Sequence, residues 1–460
     1  MRNGIIRMAL AAILVLAAPA AAIEVLATPD AAPRRLALVG GMLITGLDEP
    51  PVHHAAVLIE GDRIKEVGRA AALKIPPDAE IIDTRGRVMM PGLIDLHVHL
   101  IILGHGDYDR WDPWIDQNRL VERVMEISAR QLLMAGVTSA VDLGGTLKES
   151  LSVRDRIRRG EIPGPRLWMS GPWITRDLGD YYKGLDTQLL VDTPADAARA
   201  TERLAKAGVD VIKAYVGLRP EHYRAIVETA HRNRLKVHAH VYDPVDVRNA
   251  LEAGIDVLTH AGSAGTPPYD PDLVKAIVVK ETPVVITAAH RVWLYPATLE
   301  FPERLQDPGL EEDFGPQIWE EVRRSLADFP RLAYFSTTDR EMFFGAASLK
   351  QWIEAGAVMG MGTDSGTPMN FHTEALWREI KAHVDMGMPK QRAIAAATRI
   401  NARILGMEKD LGTIEPGKLA DLIVVRGNPL IDITALSHVE VVVKDGVVHT
   451  SQARRAAASH

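Results

Sequence analysis

Between Pro91 and Gly406, short apolar runs of β type alternate with segments of helical period, and this alternation limits the possible folds more than any other feature. The runs are Pro91–His99, Val137–Leu143, Arg166–Ser170, Val209–Val216, Leu235–His240, Ile255–His260, Pro283–Thr287 and Ala357–Thr363. Helical segments such as Leu120–Ala135, Pro194–Ala207, Glu221–Arg232 and Pro244–Ala253 lie between them. Parallel strands need long crossover connections, usually helices, so eight such units predict an α/β fold, a parallel (β/α)8 TIM barrel. An open doubly wound sheet has a similar texture, but the Gly-rich phosphate turn expected after its first strand is missing.

The flanks read differently. Leu36–Thr45, Ala55–Glu60 and Arg63–Val67 are short β runs, with Gly61-Asp62 as a hairpin turn. The same texture returns at Asp421–Val425, Val439–Lys444 and Val447–Thr450, with Asp445-Gly446 as the turn. Both flanks together predict one small β-sandwich, with 23–90 and 407–460 as its two parts and 91–406 as the barrel. Residues 1–22 read as a signal peptide: Arg2 and Arg7, an apolar run Met8–Ala17, then Ala20-Ala21-Ala22 for cleavage. The apolar run is too short, and too soon broken by Pro19, for a stable membrane anchor. Cleavage removes two arginines and no acid, taking the formal charge from −7 to −9. Neither value provides a basic surface for nucleic acid. There is no cysteine, hence no disulfide, thiolate nucleophile or lipoprotein anchor. An exported, cysteine-free, Ala- and Arg-rich chain is expected in a bacterial periplasm or secreted.

Residues able to bind metal recur where the predicted strands end. His97 and His99 stand one residue apart on a strand, so both point to the same face and form half of a metal site. Lys213 interrupts the apolar run Val211-Ile212-Lys213-Ala214-Tyr215; His238 and His240 end the fifth run, His260 the sixth, and Asp364 follows the eighth. Singly, each has a plain explanation: a surface histidine pair, a snorkelling lysine, a core histidine, a helix-capping aspartate. Together they occupy the strand ends where barrels of this kind place their catalytic groups.

Two stretches, Gly92-Leu93-Ile94-Asp95-Leu96-His97-Val98-His99 and Leu411-Gly412-Thr413-Ile414-Glu415-Pro416-Gly417-Lys418-Leu419-Ala420-Asp421-Leu422, make the chain resemble the amidohydrolase superfamily over nearly all of its mature length. The strand-four lysine points to the branch that includes Xaa-Pro dipeptidase-like and imidazolonepropionase-related proteins. The resemblance implies two divalent ions, with zinc expected: one held by His97, His99 and Asp364, the second by His238 and His260, and carboxylated Lys213 bridging both. It also implies a hydroxide between the ions that attacks an amide, cyclic amide or small peptide bond, with Asp364 moving the proton. The family pattern His-Ala-His favours His238 over His240 as the ligand, leaving His240, with Tyr215 and Tyr242, for substrate. The glycine-rich loop of many relatives is replaced by Gly217-Leu218-Arg219-Pro220, so the family's substrate preferences do not transfer.

Two other functions compete. A mononuclear deaminase of this fold usually carries a Glu three residues after the strand-five histidine, where this chain has Val241. A non-catalytic metal-binding relative has no need to keep every ligand. Three stretches, His105–Asn118, Pro172–Asp192 and Arg291–Gln317, read as loops or insertions over the catalytic face, and the middle one also carries Arg176 and Asp177. Their aromatics Trp111, Trp114, Trp173, Tyr181, Tyr182 and Trp293 suggest an apolar or aromatic group on a small-molecule or peptide-like substrate. Self-association into a homo-oligomer is compatible with all of this.

Overall fold

The computed structural model describes residues 34–176, 185–263 and 265–450. The signal-peptide segment and Asp177, Tyr181 and Tyr182 lie outside the described residues. Among those described, no helix is long and apolar enough to cross a membrane.

The flanks form two sheets. One is four-stranded, ordered Arg63–Arg69, Ala55–Glu60, Arg35–Val39, Glu80–Asp83. The other has five strands and mixes the chain ends: Val447–Thr450, Val439–Lys444, Leu422–Arg426, Arg87–Pro91, Met42–Leu43. Leu422–Arg426 runs antiparallel to Arg87–Pro91, in register from Leu422 opposite Pro91 to Arg426 opposite Arg87. Leu36, Leu38, Val57, Ile59, Met89, Leu422, Val424 and Val443 fill the space between the sheets. Both expected hairpin turns form. Asp445 (φ +50°) and Gly446 (φ +73°) have the positive dihedrals of a two-residue type I′ loop. Any side chain at Gly446 would strike the Gly61 carbonyl of the other hairpin, so turns from opposite chain ends close on each other.

The centre is a TIM barrel. Its strands are Leu93–Val98, Val137–Asp142, Arg166–Met169, Val211–Ala214, Lys236–His240, Val257–Thr259 and Val284–Val285, with an eighth segment around 357–363. Neighbours pair in parallel from the first to the third strand and from the fourth to the seventh. Asp210 N donating to the Met169 carbonyl (2.9 Å) links the third strand to the fourth. Val211, Val257 and Val285 join Ile94, Leu96, Val141 and Leu143 in an apolar cluster, two residues before Lys213, Thr259 and Thr287 on their strands. The barrel interior is therefore packed, and the polar residues sit at its C-terminal mouth.

Several expected boundaries change. The third strand stops at Met169 and resumes as Trp173–Thr175, which pairs with an additional short strand, Gln188–Leu190. The seventh is only Val284–Val285. The eighth is no regular strand and touches its neighbours at two bridges, Val284–Met359 and Val98–Ser365. A side chain at Gly362 would lie 2.5 Å from Val285 Cγ1 and 2.9 Å from His97 Cβ, so the segment packs closely on both neighbours, and backbone bonds join it to them: Leu96 N to the Met361 carbonyl (3.0 Å), Gly360 N to the Val284 carbonyl (3.0 Å) and Val284 N to the Val358 carbonyl (2.9 Å). Asn401 adds to these backbone bonds: its amide donates to the carbonyls of Ile94 (2.7 Å) and Met361 (2.8 Å) and accepts from Met361 N (3.1 Å).

Two of the three stretches read as loops, His105–Asn118 and Arg291–Gln317, are largely helical. Tyr108–Gln117 is a helix capped by Asp107, whose carboxylate accepts from Arg110 N, with Pro113 inside it. The third insertion holds helices Leu294–Glu300, Pro308–Phe314 and Pro316–Ser325. Their aromatic side chains mostly pack these elements. Trp111 is fully buried, donates to the Ile101 carbonyl (2.9 Å) and stacks on Trp114. Trp293 lies under the Arg378 guanidinium, 4.4 Å from its centroid.

Candidate metal centre

The first strand brings His97 and His99 together as their spacing predicts, with Nε2 atoms 3.2 Å apart. Asp364 arrives from the far side of the barrel closure. Its Oδ1 lies 3.0 Å from His99 Nε2 and 3.5 Å from His97 Nε2. Among the described residues, these three form the group of histidine and acidic side chains that could hold an ion. Burial lowers the His97 pKa well below its ordinary value, so the ring is neutral. Burial pushes Asp364 upward, but His260, His99 and His97 more than reverse this, and its carboxyl is held well below the usual range. Two imidazole nitrogens and a carboxylate oxygen so placed can offer lone pairs to one point, which is what a divalent cation requires.

The remaining predicted residues surround this group. Lys213 is 1% exposed, so it does not snorkel; its Nζ donates to Thr259 Oγ1 (3.1 Å), whose hydroxyl donates to the Ala239 carbonyl (2.7 Å). Burial, opposed by the Asp364 charge, lowers its pKa to about 7. His238 stands opposite Lys213 in the strand register; its Nδ1 is buried and has no hydrogen-bond partner. Burial, then the charges of Lys213 and Lys236, take its pKa to about 3. The His260 ring is 4.5 Å from that of His97. Its Nδ1 lies 2.8 Å from Thr287 Oγ1, whose hydroxyl donates to the Ile286 carbonyl (2.7 Å). A proton on Nδ1 suits this arrangement and leaves Nε2 with a free lone pair. These donors fit divalent metal.

His240 differs from His238. It is partly exposed, and its ring packs against those of Tyr215 (4.6 Å), Tyr242 (4.7 Å) and His260 (4.4 Å). Trp173 stacks on Tyr215 (4.6 Å) and meets His99 edge-on (5.9 Å). The wall beside the histidine pair is therefore aromatic.

Several residues of the site escape a sequence reading. Asp95, two residues before His97, accepts from His97 N (3.0 Å), Thr363 N (3.1 Å) and the Thr363 hydroxyl (2.8 Å), tying the first strand to the eighth segment. Burial raises its pKa to about 7. Asp142, at the end of the second strand, is raised to about 8 by burial. His290 lies beyond the seventh strand, and its position just past a strand end was the available signal. His260 (φ +66°), Thr287 (φ +54°) and Asp364 (φ +57°) all take left-handed backbone. Such strain, about 1–3 kcal/mol per residue, persists where the surroundings over-determine the geometry, as they do at functional sites.

The model of the amidohydrolase family matches residues 88–450. This chain belongs to the amidohydrolase family. It is a metal-dependent amidohydrolase. The ochratoxinase of Aspergillus niger is 26% identical to it over 446 residues, covering 86% of this chain and 82% of that protein. The 5'-deoxyadenosine deaminase of Methanothermobacter thermautotrophicus is 24% identical over 415 residues, covering 84% of each. Among solved structures, a Xaa-Pro dipeptidase with methionine bound in its active site superposes with a TM-score of 0.71 at 25% identity, covering 91% of this chain and all of that one.

Proposed function

We propose that this amidohydrolase cleaves an amide, cyclic amide or small peptide bond with the help of two divalent ions, most simply zinc. The convergence of His97, His99 and Asp364 beside a fully buried Lys213 is the observation that supports this. In this reading His97, His99 and Asp364 hold one ion and His238 and His260 the other. An ammonium has no lone pair to offer a cation. A buried lysine whose ammonium is easily deprotonated can instead add carbon dioxide, lose a proton and become a carbamate with two oxygens, which would join both ions. Bound ions supply polarisation of the scissile carbonyl and activation of a water. The chain supplies the rest: Asp364 accepts the proton of the attacking water and returns it to the leaving nitrogen, while His240, Tyr215 and Tyr242 border the substrate. Their aromatic faces favour substrates with a flat or apolar group.

Similarity to a deaminase supports a second reading, the loss of ammonia from an amino-substituted ring, although Val241 stands where such deaminases place a Glu. Elemental analysis of the purified protein, followed by a panel of N-acyl amino acids and dipeptides assayed for both acid and ammonia, separates the readings. The proposal predicts divalent metal, cleavage without ammonia, and a fall in kcat of about 10²–10⁴-fold in Asp364→Asn with metal largely retained. Metal-free protein that still turns over, or ammonia as the product, counts against it. We also propose export, because residues 1–22 have the pattern of a leader; the N-terminal sequence of protein from the native host tests this.

A further inference from the structure

Asp364 has a second oxygen, and it is not left to the ion. Oδ1 faces the histidine pair, while Oδ2 lies 3.5 Å from Nε2 of His290, a residue 2% exposed at the start of the short helix Ala289–Val292. The same Nε2 is 3.0 Å from the Tyr334 hydroxyl, on the turn Ala333–Phe335. A proton on Nε2 is the one that suits the carboxylate, since a bare nitrogen would face Oδ2 with a lone pair. His290 also falls outside the group whose ligand atoms converge on one point.

The turn carrying His290 is held from outside the barrel. Glu379, fully buried on helix Ala375–Asp385, accepts hydrogen bonds from Ala288 N (2.9 Å) and Ala289 N (2.7 Å). His383, one turn further along that helix, reaches the Glu379 carbonyl through Nδ1 (2.9 Å). The preceding residue of the turn is Thr287, a β-branched residue in left-handed backbone whose hydroxyl serves His260. A strained turn pinned at two consecutive amides by a buried glutamate side chain is built to place what it carries. It places Thr287 against His260 and His290 against Asp364.

We propose that His290 is a positioning residue: it holds Oδ2 of Asp364, so that the carboxylate presents one oxygen to the ion held by His97 and His99 and keeps the other for the proton of the attacking water, and Glu379 sets His290 in place. Without His290 the carboxylate would be free to rotate and could turn both oxygens toward a bound ion. This rests on the reading of the site given above.

The test uses full-length protein loaded with Co2+, comparing wild type, His290→Ala, His290→Gln, Glu379→Ala and the Glu379→Ala/His290→Ala double variant. Metal content, the visible ligand-field spectrum, kcat and KM are measured for each. His290→Ala should keep its metal and show weaker visible absorption, as expected for a higher coordination number. Its kcat should fall on the order of 10²-fold, as for a misplaced catalytic group, with KM little changed. His290→Gln, which can present an N–H near the same place, should restore both spectrum and kcat. Glu379→Ala should shift both in the same direction, and the double variant should be no worse than His290→Ala alone. An unchanged spectrum and kcat in His290→Ala overturn the proposal, as does strict additivity in the double variant. A wild-type protein that takes up no Co2+ overturns the metal reading itself; a metal-loaded wild type with indifferent His290 variants overturns only the role of His290.

Discussion

His238 and His240 project from one face of one strand, yet their surroundings separate them. His238 is buried opposite Lys213 with an unpartnered Nδ1, whereas His240 is half open among Tyr215, Tyr242 and His260. The expected outcome is that His238→Ala lowers the number of ions bound per chain, while His240→Ala keeps the metal and changes KM or kcat. Elemental analysis of both variants checks this, and greater metal loss in the second would reverse the assignment. Asp142 offers a test of a different kind. Folding raises its pKa to about 8 from an unfolded value of roughly 3.9. Between those values the folded state holds a proton that the unfolded state has released, so stability falls as pH rises and the loss is complete above about 8. Asp142→Asn has no such proton. Its melting temperature relative to wild type should therefore be higher at pH 8 than at pH 5, measured on metal-free protein; a constant difference would show that Asp142 is ionised in the fold.

Among the elements, the barrel closure is the most instructive. Seven strands follow from apolar runs bounded by turns, whereas the irregular eighth segment is held by backbone hydrogen bonds to the first and seventh strands and by Asn401. Asn401→Ala removes a partner from the carbonyl of Ile94 and from Met361 N in a buried seam, while the Met361 carbonyl keeps its bond from Leu96 N. Each lost partner of this kind costs about 1–3 kcal/mol, so a destabilisation of at least about 2 kcal/mol is expected in chemical denaturation. An unaffected midpoint would show that the backbone closes the seam unaided. The helices over the catalytic face show a related gap between pattern and structure. Tyr108–Gln117 contains Pro113 and is rich in acids and tryptophan, so its periodicity resembles a loop. Partners distant in sequence stabilise it: Arg110 and His105 both reach Glu321, on the helix Pro316–Ser325.

Over the whole molecule, the sandwich and the barrel are one construction. Arg166, at the start of the third barrel strand, pairs with Asp421 (2.7 Å) and also with Asp445 of the Asp445-Gly446 hairpin turn. At the opposite end of the barrel, His97 and His99 of the first unit converge with Asp364 of the eighth, so an ion bound there would tie distant parts of the chain together. Removing metal with a chelator should lower the calorimetric melting temperature, and returning a divalent ion should restore it. Ligand at a hundred times its dissociation constant adds about 2.7 kcal/mol per site. A melting temperature indifferent to chelation would mean that no ion is held by the folded protein. Local chemistry was enough to make the barrel, the two-ended sandwich and the pairing of His97 with His99 legible, because hydrophobic period, hairpin turns and same-face histidines are properties of neighbouring residues. The partnership of Asp364 with His290, the capping of His290's turn by Glu379 and the Asn401 seam were not legible in this way. Each depends on a contact between residues tens to hundreds of positions apart, and the close packing of the folded barrel alone brings those groups within hydrogen-bonding distance.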